Sequence, residues 1–558
     1  MERAAIKKRT LVFLLLCLLI TGGFLRFWNI GVPSLWVDEA NTVFAARSVL
    51  ETGQDTMPSG MIYGRSRLHT VIVAFFYSIL DSNESTTRMP SVIFGMLSIL
   101  MSYSIAKRIF NDRVGLFTAF LITFSHFEVG WSRTGRMYTL LQFLTLAILY
   151  CFIRGFERNG GSAGAMNSKK MRPRLFPGMK DFFARHSLSV PWLFLCLIIV
   201  IVSSIYVHLL TGFMLLGLIV YCLFIGVSSF FIAANKNKIG NKYILTSFLA
   251  IMVFILSWVF IPALREKIVF FLSYTPPWAM GAASAQNKLY FLEFLISPWR
   301  FPLAAFFFIG SVQLFSRNKR LGWIPLWGFS VPFFLLSFIF THRVPAYLFY
   351  VYPLFLMISS FGFINLLEME GQFLIKAPGY RKRWVRTGFI SLFFLIFILS
   401  PWLRITLNIP FNPDGVTNMA VTPDEWREAC DIVKTRQQPG DLIVTSLPQI
   451  ATYYKIQSDY GLNWANLEKA IDEDFKNSDD EWIDMYVGIR CIETLTMLET
   501  IVRENPRGWI IITKFHLEHD NHTPEKVRNF IISHFNEPAM TNNKTVYVYH
   551  WQDSEGEV

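Results

Sequence analysis

Long apolar runs dominate this chain and restrict it to folds that live in a bilayer. A helix needs roughly 20 mostly apolar residues to cross the hydrocarbon core. Such runs lie near 11–30, 88–108, 114–131, 137–154, 188–208, 210–232, 243–262, 288–311, 322–340, 345–366 and 387–405. Composition agrees, since 53% of the 558 residues are hydrophobic and 16% aromatic, outside the ordinary soluble range. The first run follows Lys7-Lys8-Arg9 and shows no clear cleavage site, so it reads as an uncleaved anchor entering from the cytoplasm. The run from His69 to Leu80, about 12 residues, is too short to cross and reads as a partly inserted external helix.

Charge orders the runs. The net charge of +12 conceals two unlike parts, because the chain from Pro410 onward holds 13 Lys+Arg against 25 Asp+Glu. The basic clusters are Lys107-Arg108, Arg154 to Arg185, Lys236 to Lys242, Arg317 to Arg320 and Lys376 to Arg386. Placing all five in the cytoplasm makes the eleven runs alternate, with the N-terminus inside and the acidic tail outside. Basic residues confined to short loops between spans argue against nucleic acid as a partner. The expectation is a polytopic α-helical membrane protein of about 11 transmembrane helices with a C-terminal extracytoplasmic α/β domain. The boundary falls at 1–405 and 406–558. The implied location is the cell (inner) membrane, with the tail periplasmic or extracellular.

The tail alternates helix and strand signals, as a layered α/β domain does. Pro423-Asp424-Glu425 opens a helix bearing Trp426, Ala429 and Val433 on one face, and Leu442 to Val444 reads as a buried strand. A helix from about Ile492 to Arg503, a strand at Trp509 to Ile512, a helix from Val527 to Phe535 and a strand at Thr545 to Tyr549 follow. Cys430 and Cys491 lie in this outer part, where a disulfide is permitted. The sequence does not decide their pairing.

Under this topology four polar groups collect at the outer ends of spans. Asp38-Glu39 heads a helix over Ala40 to Leu50; the pair is open to reading as a cap or as working acids. Arg65, Arg67 and His69 precede the short apolar run, and the arginines suit a phosphate or interfacial snorkelling. Glu128, Trp131, Arg133, Arg136 and Tyr138 form the third group. His208 ends a span, and His342-Arg343 separates two later ones. A carboxylate so placed can serve as general base on an acceptor hydroxyl, and cations beside it can stabilise a phosphate leaving group.

The motifs then resemble a known family. Ser34-Leu35-Trp36-Val37-Asp38-Glu39-Ala40, Arg88-Met89-Pro90-Ser91 with Gly95, Trp131 to Leu140, Tyr206-Val207-His208 and Tyr350-Val351-Tyr352-Pro353 occur in order. They are similar to GT-C glycosyltransferases of the protein O-mannosyltransferase and lipid A aminoarabinose transferase type. The resemblance implies a polyprenyl-phosphate-linked monosaccharide donor and transfer at the outer face with inversion. The acceptor would be a lipid, glycan or protein. It makes Asp38 the base, with Glu39 orienting it or binding metal. Arg65, Arg67, Arg136, Tyr138, His208 and Arg343 become candidates for the donor phosphate. Glu128 and His69 become candidates for the acceptor or a second acid. Asp38, Glu39 and His208 are the candidate ligands of a divalent metal. Thr134 stands where many relatives carry a second-loop acid, and Ser66-Arg67 replaces their Pro-Pro. The alternatives are a transporter or flippase for an anionic lipid, which would need charges near span midplanes, and a non-catalytic scaffold.

Overall fold

The computed structural model describes residues 8–156, 189–232, 287–317, 320–373, 424–462, 481–520, 522–535 and 537–552, with isolated positions between them. Among the described residues, helices α1 (Lys8–Phe27), α4 (Glu84–Ile109), α7 (Tyr138–Phe156), α9 (Thr211–Ile232) and α12 (Trp323–Phe338), the last together with the turn Arg320–Gly322 that leads into it, supply five apolar segments long enough to cross. Between them lie α2 (Val37–Thr52), α3 (Arg67–Ile79), α5 (Asp112–Phe124), α6 (His126–Ser132), α8 (Val190–Tyr206), α10 (Tyr290–Ile296) and α11 (Phe301–Arg317). Helices α13 (Ala346–Phe349) and α14 (Tyr352–Phe373) follow. Nine of the eleven expected runs coincide with these elements; those at 243–262 and 387–405 lie largely outside the described residues.

Two expected straight spans are broken. Helices α5 and α6 meet at 60°, and α10 and α11 at 102°, so each pair is one broken span or a re-entrant loop. A break inside an apolar layer leaves backbone carbonyls without water. A buried arginine answers each one. Arg26 of α1 donates to the carbonyls of Ile122 (3.0 Å) and Thr123 (3.2 Å) and to Ser132 Oγ (3.1 Å). Arg300 donates to the Phe294 carbonyl (3.2 Å) and Ser297 Oγ (2.9 Å) and lies 2.7 Å from His126 Nε2. Gly95 lets α4 approach the first of these joints, since a β-carbon there would stand 2.3 Å from Ser132 Oγ.

The C-terminal part carries α15 (Trp426–Arg436), β1 (Leu442–Thr445), α16 (Pro448–Tyr453), β2 (Tyr460–Gly461), β3 (Arg490–Cys491) and α17 (Leu495–Glu504). It continues with β4 (Arg507–Thr513), α18 (Lys514–Glu518), α19 (Glu525–His534), β5 (Ala539–Met540) and β6 (Val546–Gln552). The sheet order is β3-β2-β1-β4-β6-β5, parallel from β3 through β4, with β6 antiparallel to β4 and β5 antiparallel to β6. Strand alternation sends Trp509 and Ile511 to one apolar layer and Ile510 and Ile512 to the other. Cys430 and Cys491 are both free, buried thiols, so the permitted disulfide is not formed.

This domain grips the loop that follows α1. Arg427 donates to Glu84 (2.6 Å) and to the carbonyls of Gly31 (3.0 Å) and Val32 (2.9 Å). The Tyr454 hydroxyl accepts from Leu35 N (3.0 Å) and donates to Glu84 (3.1 Å). Ala40 of α2 enters the domain's own apolar core. The loop that delivers Asp38 is therefore held from above.

Candidate active site

Asp38 and Glu39 occupy successive positions in the first turn of α2, and their carboxylates part company there. Successive helical residues point about 100° apart. Glu39 turns inward. Its Oε1 and Oε2 accept from Arg88 Nε and Nη2, both at 2.8 Å, while Trp36 N (3.0 Å) and Gly135 N (2.5 Å) add two backbone donors. Arg88 spends its remaining donors on the carbonyls of Ile30, Pro33 and Ser34 at 2.8 to 2.9 Å. A bidentate arginine–carboxylate pair thus pins the whole turn before α2. Gly135 is required at this joint, because a β-carbon would stand 2.8 Å from Thr87 Cγ2 and 3.2 Å from Glu39 Oε1.

Asp38 faces the other way, with 24% of its side chain exposed. Its Oδ2 lies 3.3 Å from Arg136 Nη2. Arg136 is buried and also donates to the Asp38 carbonyl (3.1 Å), Thr42 Oγ1 (3.2 Å) and the Tyr63 hydroxyl (2.6 Å). Arg65 is exposed and stands within electrostatic reach of Tyr486, Tyr63, Asp38 and Arg136.

Three imidazoles from three elements surround this pair. His69 on α3 is buried and feels Arg136; His208, in the turn between α8 and α9, also feels Arg136; His342, between α12 and α13, feels Asp38. Leu210 N donates to His208 Nδ1 at 3.2 Å, which leaves its proton on Nε2. Tyr347 centres this wall. Its ring lies 5.7 Å from His208, 5.5 Å from His342 and 6.5 Å from Tyr138.

All three histidines are held neutral. Burial, then Arg136, lowers His69 to about 3. Burial lowers His342 to about 4 against the pull of Asp38, and burial with Arg136 lowers His208 to about 4. An unfolded histidine titrates at about 6.5. Below that pH the unfolded chain binds protons that the folded site refuses, so stability is full above about 6.5 and falls as pH drops toward the folded values. The detergent-solubilised protein is expected to melt at a lower temperature at pH 5 than at pH 7. His69→Asn should flatten that slope, and a melting temperature indifferent to pH would contradict the burial of these rings.

Other expected site residues point elsewhere. Arg67 is half exposed and reaches the Gly53 carbonyl (3.5 Å) and Asp55 (4.0 Å). Arg343 donates to the Ser337 carbonyl at 3.0 Å, closing the end of α12. Glu128 is buried on α6, where it accepts from Gln142 (3.0 Å) and faces Arg26 rather than Asp38. Arg133, expected to seek an anion, donates to the carbonyls of Leu25, Arg26 and Trp28 and caps α1. Asp38, Glu39 and His208 do not assemble as metal ligands. Among the described residues no group of three or more His, Cys, Asp or Glu is placed to hold a cation, and both Glu39 oxygens are committed to Arg88.

Sequence reasoning passed over Thr42, Tyr347 and Tyr486. Tyr63 opens the polar group that holds Arg65, but its sequence position gave it no role of its own. Tyr486 carried no signal, being more than 400 residues from Asp38 along the chain.

Comparison with known proteins decides what this architecture is. Residues 66–166 match the family model for dolichyl-phosphate-mannose-protein mannosyltransferase, a stretch that includes His69, Arg88, Arg136 and Tyr138. The chain superposes on ArnT from Cupriavidus metallidurans in its apo state with TM-score 0.54 and 13% identity, over 97% of each chain. ArnT bound to undecaprenyl phosphate matches with TM-score 0.54 and 12% identity, over 99% of this chain and 100% of that one. The chain has the ArnT fold. The archaeal oligosaccharyltransferase AglB from Archaeoglobus fulgidus, in complex with an inhibitory peptide and a dolichol-phosphate, shares this fold at TM-score 0.54 and 12% identity, over 99% of this chain and 75% of that one. A comparison with curated protein sequences finds no match for this chain.

Proposed function

We propose that this protein is a GT-C glycosyltransferase that moves one monosaccharide from a polyprenyl-phosphate donor to an acceptor hydroxyl at the non-cytoplasmic face of the membrane. The observation that carries this reading is the Asp38–Arg136 pair. A carboxylate open on one side sits 3.3 Å from a buried guanidinium, within reach of a second guanidinium on Arg65. The base and the phosphate clamp of a group transfer need this juxtaposition.

Asp38 takes the proton of the acceptor hydroxyl as its oxygen attacks the anomeric carbon. The bond from that carbon to the phosphate oxygen breaks, and polyprenyl phosphate leaves with the electron pair. One displacement inverts the anomeric configuration. Arg136 and Arg65 neutralise charge growing on the phosphate, while Tyr138, Tyr347, His208 and His342 line the wall toward the sugar. Glu39 acts through Arg88 as a positioning residue. No step runs through a metal, whose expected ligands are not assembled. Topology follows the basic loops, with the N-terminus cytoplasmic and the α/β domain outside.

The test reconstitutes the purified protein in vesicles with polyprenyl-phosphate sugars and envelope extract. Mass spectrometry should show an acceptor gaining one monosaccharide and stoichiometric release of polyprenyl phosphate. Lipid-linked sugar crossing between leaflets with no covalent product would overturn the proposal in favour of transport.

A further inference from the structure

The C-terminal domain does more than cover the site, because one of its turns reaches the reacting groups. Residues 484–489 form a closed loop. Asp484 Oδ1 accepts from Tyr486 N (3.0 Å) and Val487 N (2.8 Å), Gly488 N donates to the Asp484 carbonyl (2.8 Å), and Asp484 N donates to Ile489 O (2.7 Å). Gly488 holds φ at +84°, a left-handed conformation that favours glycine.

This loop is seated on the segment before Arg65. Ser59 N donates to the Tyr486 carbonyl (3.1 Å) and Ser59 Oγ to the Met485 carbonyl (2.5 Å). A β-carbon on Gly488 would stand 3.3 Å from Ser59 Cα, so the approach is close. The Tyr486 ring packs beside Ala45, Met57 and Tyr63. Its phenol lies within electrostatic reach of Arg65, Asp38 and Tyr63, and Tyr63 in turn holds Arg136.

A tyrosine needed only for packing has no cause to bring a hydroxyl to an acid and a guanidinium. Among the described residues that hydroxyl has no hydrogen-bond partner. Burial pushes the phenol up to about 12, so it keeps its proton and can donate. The donor lipid enters from the membrane side, whereas Tyr486 arrives from the outer domain.

We infer that Tyr486 is an acceptor-binding residue, its hydroxyl holding the incoming hydroxylated acceptor against Asp38. The inference rests on the transfer reaction proposed above and assigns the C-terminal domain a share of acceptor recognition.

The test compares wild-type protein with Tyr486→Phe, a substitution that keeps the ring. Each is titrated with envelope extract as acceptor source at saturating polyprenyl-phosphate mannose, then with that donor at saturating extract. Loss of one hydrogen bond should raise the half-saturating extract about tenfold. The half-saturating donor, the slow hydrolysis of donor by water and the melting temperature should stay unchanged. Equal acceptor titrations, or a shift confined to donor or hydrolysis, would overturn the assignment while leaving the transfer reading intact. Failure of the wild-type protein to release polyprenyl phosphate from this or any other lipid-linked sugar would remove both.

Discussion

Asp38→Asn should lower the rate of sugar transfer by about 10²–10⁴-fold and leave the protein folded. Asparagine keeps the shape and the contact with Arg136 but cannot accept a proton. The side chain is 24% exposed and meets Arg136 Nη2 through Oδ2, so little structure depends on its charge. Donor binding should survive, since Arg65 and Arg136 remain; the loss then falls on kcat and not on the donor KM. Single-turnover release of polyprenyl phosphate, measured beside the melting temperature, separates the two. A variant that transfers at the wild-type rate would remove Asp38 from the chemistry.

The second large effect belongs to the neighbouring acid and is one of stability. Glu39 and Arg88 are both buried and joined by two bonds of 2.8 Å. Removing one partner leaves an uncompensated charge, at a cost of about 3–5 kcal/mol. Arg88→Met should be the more harmful single change, because it also abandons the carbonyls of Ile30, Pro33 and Ser34. The double variant Glu39→Gln with Arg88→Met should regain part of the loss, since no buried charge then remains. Thermal unfolding of the four proteins in detergent measures the coupling. Strictly additive losses would show that the two residues act independently.

These adjacent acids also show where reading the sequence succeeds and where it stops. Asp38-Glu39 stood out in the sequence, because paired carboxylates after an apolar run are costly in lipid. That one stays partly exposed beside Arg136 and the other turns to Arg88 depends on helix phase and on a partner 49 residues away. The apolar runs were legible because a bilayer imposes length on them. The bends at Ser125 and near Pro298 were not, since hydropathy runs on unbroken while Arg26 and Arg300 satisfy the freed carbonyls. The outer cations looked alike in sequence. Backbone carbonyls claim Arg67, Arg133 and Arg343, whereas Arg65 and Arg136 face the open acid. In the α/β domain the periodic helices and the longer strands were readable. The two-residue strands β2, β3 and β5 are too short to carry a period.

The central claim is that Asp38, Arg65 and Arg136 share one cavity opening away from the cytosol. Arg65→Cys, in a background whose six native cysteines are replaced, places a thiol at that mouth. A membrane-impermeant maleimide added to intact cells should label it without permeabilisation. Labelling that appears only after the membrane is breached would put the cavity on the cytoplasmic side and contradict the mechanism.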